Sequence, residues 1–196
     1  MKRLKLAIFG LTLVGLPALA ALKVGETAPD FTTQAALAGK AFTYSLADTR
    51  RKGPVVVYFY PSAFTSGCNA QAHYFAVNMA KFNDAGATVV GVSLDNIDRL
   101  KAFSADPEYC GGKVPVASDA DGKIAGTYHL KVDPEEKGFK DTRGVEVGHG
   151  FTERTTFIVL PDGKVAATVG GLSPSANVDR ALEEVLRLAA PAASKK

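Results

Sequence analysis

Three short apolar runs constrain the fold of this chain most strongly. The first, residues 55–60, is β-branched and aromatic without polar alternation, which is typical of a strand buried on both faces. Residues 88–94 and 155–160 have the same character. Because a strand that is apolar on both faces needs cover on each side, these runs predict a central sheet flanked by helices.

The segments between these runs predict the remaining elements. A helix is expected over about 66–84, where Phe75, Met79 and Phe82 recur at helical spacing. Asp95 or Asn96 can cap a second helix that runs through Phe103. Shorter elements are expected at 114–117 (strand) and 119–128 (helical turn), and 131–150 reads as an exposed polar loop.

The C-terminal part predicts a hairpin and a helix. Pro161-Asp162-Gly163 is a tight turn after the third run, so residues 164–169 should pair back as a strand. The last helix has an apolar face formed by Val178, Ala181, Leu182, Val185, Leu186 and Ala189. A βαβ unit followed by ββα predicts an α/β protein with a thioredoxin-like fold, a mixed central β-sheet flanked by helices and an antiparallel edge pair. A fold of this kind specifies no function by itself.

The N-terminus is typical of a secretory signal peptide. Lys2, Arg3 and Lys5 form a basic head, an apolar run over 6–16 is too short to span a bilayer, and Ala18-Leu19-Ala20 has the small-residue pattern of a cleavage site. A retained anchor is the alternative. We therefore expect a signal peptide at 1–20, a folded domain at 21–189 and a disordered tail at 190–196, in a periplasmic protein with no stable membrane insertion after cleavage.

Charge and composition limit the partners. The formal net charge of +3 falls to zero without the signal segment, which carries three basic residues and no acidic one. Nothing therefore favours a nucleic-acid partner. The two cysteines and three scattered histidines lack the spacing of metal ligands, and no cofactor is expected. His73, His129 and His149 are interpreted as structural or exposed residues.

Cys68 has the sequence context of a reactive cysteine. It follows the first buried run by a short loop and falls in the first turn of the next helix, where backbone N–H groups and the helix dipole favour a thiolate. Gly67 lets the backbone approach a small substrate, Thr65 supplies a hydroxyl, and the ring of Pro61 limits access of water. A thiolate with donors nearby can attack a peroxide oxygen.

These residues resemble the peroxiredoxin family. Pro61, Thr65 and Cys68 match its P-x-x-x-[T/S]-x-x-C signature, and the order is most similar to the bacterioferritin comigratory protein, or PrxQ-like, subfamily. The likeness spans roughly 23–188 and includes Arg154 before the third run. It implies a thiol peroxidase in which Cys68 becomes a sulfenic acid, Thr65 orients the peroxide and Arg154 holds the thiolate and the peroxide oxygens. Electrostatics agree, because a fixed guanidinium stabilises a nearby anion.

Two positions depart from the family pattern. Gln71 stands where relatives often have an acidic residue; it can hydrogen-bond but brings no charge to orient Arg154. His73 stands where many subfamily members have a second cysteine, so that disulfide is impossible here.

Cys110 is the remaining candidate for resolution. Some relatives carry a resolving cysteine in this region, and Pro107 and Gly111-Gly112 suggest a segment that can rearrange. The resemblance then implies an intramolecular Cys68–Cys110 disulfide, a hydroperoxide substrate, a thioredoxin-like dithiol reductant and a monomer or weak homodimer. A buried Cys110 without a catalytic part, or a structural disulfide, are the alternatives.

Three other functions remain to be weighed. A copper chaperone needs C-x-x-x-C, but Phe64 occupies the position four before Cys68. A thiol–disulfide oxidoreductase needs C-x-x-C, which Thr65 and Gln71 rule out on either side. A redox sensor without turnover would keep the cysteine and pass its oxidation to a partner.

Overall fold

The computed structural model describes residues 20–190, which are built around one mixed sheet. The strands are β1 (Thr32–Leu37), β2 (Lys40–Ser45), β3 (Val55–Phe59), β4 (Thr88–Ser93), β5 (Val116–Ser118), β6 (Val132–Asp133), β7 (Phe151–Thr152), β8 (Thr155–Val159) and β9 (Val165–Gly170). The helices are α1 (Leu46–Arg50), α2 (Ser66–Asp84), α3 (Ile97–Ala105), α4 (Lys123–Thr127) and α5 (Pro174–Ala189). The predicted signal peptide and tail lie almost wholly outside the described residues.

The sheet confirms the predicted α/β, thioredoxin-like architecture. Its seven strands run in the order β2-β1-β5-β4-β3-β8-β9, and β6 pairs with β7 in a separate ribbon. Strand β3 lies at the centre of the β-α-β unit, parallel to β4 and antiparallel to β8. The predicted hairpin of β8 and β9 forms one edge.

Strand β3 is buried on both faces, as its sequence predicts. Tyr58 and Tyr60 face the layer of α2, α3 and α5, and Tyr58 stacks on Phe75 with ring centroids 4.4 Å apart. Val57 and Phe59 face the opposite layer, which holds α1 and α4. Gly91 in the neighbouring strand makes room for the Tyr58 ring, because a Cβ there would lie 2.5 Å from Tyr58 Cζ.

The sequence interpretation missed the second edge of the sheet. The antiparallel pair β1 and β2 forms this edge, followed by the single-turn helix α1. Four of the six residues of β2 are exposed, so the strand carries no apolar pattern. A solvated edge strand gives a weak periodic signal, which explains why it escaped detection.

Two further predictions need correction. The segment 131–150 is not simply an exposed loop, since Asp141 and Val147 are buried and its first residues, in β6, pair with β7 just beyond its end. The apolar face of α5 is narrower than predicted, because Leu186 is 49% exposed and Ala189 is also exposed. Of the two possible caps of α3, Asn96 is the one used: its side chain accepts from Arg99 N.

Candidate active site

The site lies at the ends of the central strands, where β3 and β4 end and β8 begins. Helix α2 begins at Ser66, as predicted, and Cys68 is its third residue. Pro61 and Thr65 belong to the active-site loop (residues 61–65) that joins β3 to α2, and both are half-buried. Arg154 immediately precedes β8, whose antiparallel pairing with β3 brings Thr155 opposite Phe59. Sheet topology therefore brings all four residues together at the same ends of the central strands.

The sulfur of Cys68 is buried at the start of α2. The residue is only 2% exposed. The N–H groups of Cys68 and Asn69 both donate to the carbonyl oxygen of Thr65, at 2.9 and 2.8 Å, and so close the first helical turn. The N–H groups of Ser66 and Gly67 have no partner within the helix, and they add to the positive end of its dipole.

Arg154 points at the sulfur. Its Nη2 donates to Cys68 Sγ at 3.4 Å. Gly67 leaves space for this approach, because a Cβ at that position would lie 3.3 Å from Arg154 Nη2 and 3.5 Å from Pro174 Cγ. A guanidinium this close stabilises negative charge on the sulfur and retains donors for a substrate oxygen.

Gln71 orients Arg154, although it lacks the charge common in the family. Its Oε1 accepts from Arg154 Nη1, and its Nε2 donates to Asn177 Oδ1 at 2.9 Å. Asn177 is fixed in turn, because its Oδ1 accepts from Thr156 Oγ1 at 2.6 Å and its Nδ2 donates to Val169 O at 3.0 Å. The side-chain amide of Gln71 therefore has only one satisfactory orientation, with its oxygen toward the guanidinium of Arg154.

Asn177 and Thr156 were missed by the sequence interpretation. Both are fully buried, and Asn177 sits directly before Val178 on the apolar face of α5. A polar residue on the buried face of an amphipathic helix is the one signal that could have identified it.

Thr65 uses its hydroxyl inside the loop. It occupies the N-cap position of α2 but makes no side-chain cap hydrogen bond; its Oγ1 donates instead to Ser62 O at 2.8 Å. The ordinary helix-cap role is therefore not the one it fills. Because the single hydroxyl hydrogen is used, the oxygen is left to accept a hydrogen bond from a substrate O–H.

Cys110 is a second buried thiol in the same layer of the core. It is not disulfide-bonded, and its side chain is fully buried. Burial raises the pKa of the Cys110 thiol well above its ordinary value, and the charge of Asp106 adds to this effect. Burial also raises the pKa of Tyr58, with smaller contributions from Cys110 and Cys68.

Two of the histidines that the sequence predicts to be non-catalytic lie at the surface or in a turn. The exposed His73 has its Nδ1 2.9 Å from Glu108 O, and His129 is half-exposed in a left-handed turn. Within residues 20–190 no group of three or more His, Cys, Asp or Glu side chains is arranged to hold a metal ion.

A buried cysteine at a helix start, paired with a fixed guanidinium on a thioredoxin-like sheet, defines the class of thiol peroxidases. Comparison with known proteins gives the family. The sequence profile of the AhpC/TSA family matches residues 24–168. The chain belongs to this family of peroxiredoxins, as the sequence predicted, and it is a thiol peroxidase.

Individual relatives support the PrxQ-like subfamily. A putative peroxiredoxin of Mycobacterium tuberculosis is 36% identical over 144 residues, covering 74% of this chain and 82% of the relative. The putative peroxiredoxin bcp of Coxiella burnetii is 30% identical over 165 residues, covering 84% and 97%. Among solved structures, the peroxidoxin BcpB of M. tuberculosis superposes with a TM-score of 0.69 at 28% identity, covering 85% of this chain and 98% of that one.

Proposed function

We propose that Cys68 is the peroxidatic cysteine and that it reduces hydroperoxides through a sulfenic acid. The observation that carries the proposal is the contact of Arg154 Nη2 with Cys68 Sγ at 3.4 Å. In the reaction the thiolate attacks one peroxide oxygen, the O–O bond breaks, and the leaving oxygen takes up a proton and departs as water or an alcohol. The sulfur is oxidised to S–OH by two electrons, which the peroxide accepts.

Thr65 and Arg154 divide the handling of the peroxide. Because the Thr65 hydroxyl already donates to Ser62 O, its oxygen can accept a hydrogen bond from the peroxide O–H and hold that hydroxyl-bearing oxygen against the sulfur, while the other oxygen leaves. Arg154 donates to the sulfur and to the charge that develops on the reacting oxygens. Pro61, half-buried at the start of the loop, offers no N–H and keeps water from the pocket.

Cys110 is the proposed resolving cysteine. Its thiol attacks the sulfur of Cys68–SOH, an S–S bond forms and water leaves. A fully buried thiol with a raised pKa cannot do this in place, so the segment around Cys110 must open. Gly111 and Gly112 both have positive φ in this segment, which is a run of turns.

A dithiol protein then closes the cycle. Membership of the family implies a peroxide substrate and a thioredoxin-type reductant. We propose that such a dithiol attacks the Cys68–Cys110 disulfide, becomes a disulfide itself and returns both cysteines to the thiol form. We also propose that the protein works as a monomer or weak homodimer.

Mass analysis tests the resolving role of Cys110. One equivalent of hydrogen peroxide, added to the reduced protein, should give an intact chain lighter by two hydrogens, with Cys68 and Cys110 joined in non-reducing peptide maps. In Cys110→Ala the same treatment should instead give Cys68 sulfenate, which a second equivalent converts to sulfinate, with an unchanged rate of the first oxidation. Cys68 sulfenate or sulfinate beside unmodified Cys110 in the wild-type chain would remove the proposal.

We further propose that the chain is exported to the periplasm and cleaved after Ala20. The basic head, the short apolar run and Ala18-Leu19-Ala20 support export. Leu22, two residues behind that site, is buried, and its carbonyl accepts from Thr168 Oγ1 at 2.6 Å. No helix within residues 20–190 is long and apolar enough to cross a bilayer.

Fractionation of a Gram-negative host expressing the full chain tests export. Mass spectrometry of the periplasmic protein should give a chain that begins at Ala21. A charge in the apolar run, as in Leu13→Arg, should leave the protein uncleaved in the cytoplasm, whereas the exposed change Lys81→Gln should alter nothing. Recovery of wild-type chain with an intact N-terminus from the membrane would instead support a retained anchor.

A further inference from the structure

A cluster of buried charged residues lies beneath the active-site loop, outside the reacting groups. Its members are Asp95 after β4, Arg99 on α3, and Asp141 and His149 from the segment between β6 and β7. The side chains of Asp95 and Asp141 are fully buried, and those of Arg99 and His149 are 10% and 17% exposed. Buried charges are costly unless they are paired, so an arrangement of this kind needs a structural or functional reason.

Asp95 holds the backbone of the active-site loop. One carboxylate oxygen, Oδ2, accepts from Ala63 N at 2.7 Å and from Ser93 Oγ at 2.7 Å. The other, Oδ1, accepts from Ser62 Oγ at 2.9 Å and lies 2.9 Å from Arg99 Nε. Because the Ala63 N–H and the hydroxyls of Ser62 and Ser93 donate to it and the Arg99 guanidinium lies beside it, the group is a carboxylate and not a neutral acid.

His149 completes the shell of Asp95. Its Nε2 lies 2.8 Å from Asp95 Oδ1, and its Nδ1 lies 2.7 Å from Gly150 O. A carboxylate and a carbonyl are both acceptors, so both contacts are hydrogen bonds only if both ring nitrogens carry a hydrogen. The two contacts therefore require an imidazolium.

The loop needs external restraint, because one of its residues is strained. Phe64 has φ of +63°, a left-handed conformation that costs a residue with a bulky side chain energy. Its carbonyl accepts from both Thr142 N at 2.9 Å and Thr142 Oγ1 at 2.8 Å. Arg99 Nη2 donates to the preceding carbonyl, that of Ala63, at 2.8 Å.

We propose that Asp95 and His149 are positioning residues of the peroxidase site. The His149 imidazolium holds the Asp95 carboxylate, and Asp95 holds the active-site loop, which places Thr65 beside Cys68. The link to the site is short. Asp95 binds the Ser62 hydroxyl and the Ala63 N–H, and the Ser62 carbonyl receives the Thr65 hydroxyl at 2.8 Å. This inference rests on the proposed role of Cys68.

Loss of the His149 proton should loosen this arrangement as the pH rises. Burial opposes protonation of His149, but the hydrogen bond and charge of Asp95 and the hydrogen bond to Gly150 together outweigh it and raise the pKa of His149 above its ordinary value. Burial likewise opposes ionisation of Asp95, but the hydrogen bond and charge of His149, together with the hydrogen bonds from Ala63 and Ser93, outweigh it and lower the pKa of Asp95. A raised histidine pKa means that the stabilisation is complete below the ordinary pKa and is lost as the pH passes the raised value.

The remaining charges around the pair do not replace that proton. Arg99 lies between Asp95 and Asp141, with its Nη2 2.7 Å from Asp141 Oδ2, and it stays charged as the pH rises. Arg143 also binds Asp141, at 2.9 Å, and reaches no atom of Asp95. Burial beside Asp95 raises the pKa of Tyr60 well above its ordinary value, so its hydroxyl stays neutral. His149 is thus the group whose charge changes near neutral pH.

Two measurements on the reduced full chain test the inference. Nitrogen NMR of the His149 ring should show both nitrogens protonated at neutral pH, with deprotonation above the ordinary histidine range. The rate constant for oxidation by hydrogen peroxide should fall as that proton is lost, although a rising pH can only increase the thiolate population. In His149→Gln, the rate at neutral pH should be lower by about tenfold, less than the roughly 10²-fold that a misplacement of about 1 Å can cost, and the alkaline fall should disappear.

The outcomes separate this inference from the proposed function. His129→Asn, which removes a histidine in a left-handed turn that asparagine tolerates, should keep both the rate and its pH profile. A wild-type protein that fails to react through Cys68 would contradict the proposed function itself. A reactive wild-type protein with an unprotonated His149 ring nitrogen at neutral pH, or with the same alkaline fall in His149→Gln, would overturn the positioning role alone.

Discussion

Replacement of Cys68 by serine should abolish peroxide turnover. The change is nearly isosteric, but a serine hydroxyl stays protonated where a thiol gives a thiolate, so the nucleophile is lost while the pocket is kept. Removal of a catalytic nucleophile lowers turnover by about 10⁴-fold or more, and a similar loss is expected here. Peroxide consumption by the purified chain, with thioredoxin and its reductase as electron source, measures it.

The two cysteines need to be distinguished in this experiment. Cys110→Ala should still consume one equivalent of peroxide and then stall or turn over slowly, whereas Cys68→Ser should consume none. Near-ultraviolet circular dichroism of both variants establishes that the aromatic core around Tyr58 and Phe75 is intact. If Cys68→Ser kept turnover and Cys110→Ala lost the first equivalent, the peroxidatic role would belong to Cys110.

The centre of the fold was predictable because it depends on local patterns. The run at 55–60 is apolar on both faces and became β3, buried at every position. Residues 66–84 became α2 with the predicted bounds, since a loop with Pro61 precedes the helix and Ala85-Gly86 follows it. The β1–β2 edge was not predictable in the same way, because exposed strand residues carry no alternation that distinguishes them from a loop.

The contact between the two reacting groups was predictable only through the resemblance to a family. Cys68 and Arg154 are separated by 86 positions, and no periodicity indicates that they meet. The motif supplied that contact. What it could not supply was the response to this chain's own departure, Gln71, whose effect depends on Asn177 more than a hundred positions away.

The buried charges under the loop illustrate the same limit. His149 lies in a polar segment that predicts exposure, and it is 54 positions from Asp95. A hydrogen-bonded ion pair of this kind arises from tertiary contacts alone, so its members look like ordinary surface residues in the sequence.

Replacement of Arg154 by glutamine should give the second largest loss. Glutamine is planar and can still hydrogen-bond, but it removes the charge beside Cys68 Sγ and the donors for the reacting oxygens. Loss of one pre-positioned donor to developing charge costs about 10²- to 10³-fold in rate, and we expect a loss in this range. The oxidation rate of Arg154→Lys should lie between those of the wild-type protein and Arg154→Gln, because an ammonium keeps the charge but cannot bind the sulfur and Gln71 at once. Stopped-flow oxidation of the reduced protein measures the rates.

Gln71 separates the charge of Arg154 from its orientation. Gln71→Leu leaves the guanidinium charge in place but removes the acceptor of Arg154 Nη1 and the donor to Asn177. It should lower the rate by about tenfold, less than the roughly 10²-fold that a misplacement of about 1 Å can cost. Gln71→Glu keeps the acceptor and should hold Arg154 at least as firmly.

Alkylation by iodoacetamide, which needs the thiolate but not the peroxide-binding groups, should slow less than peroxide reduction in Arg154→Gln. A wild-type peroxide rate in Arg154→Gln would show that the guanidinium near the sulfur takes no part in the reaction.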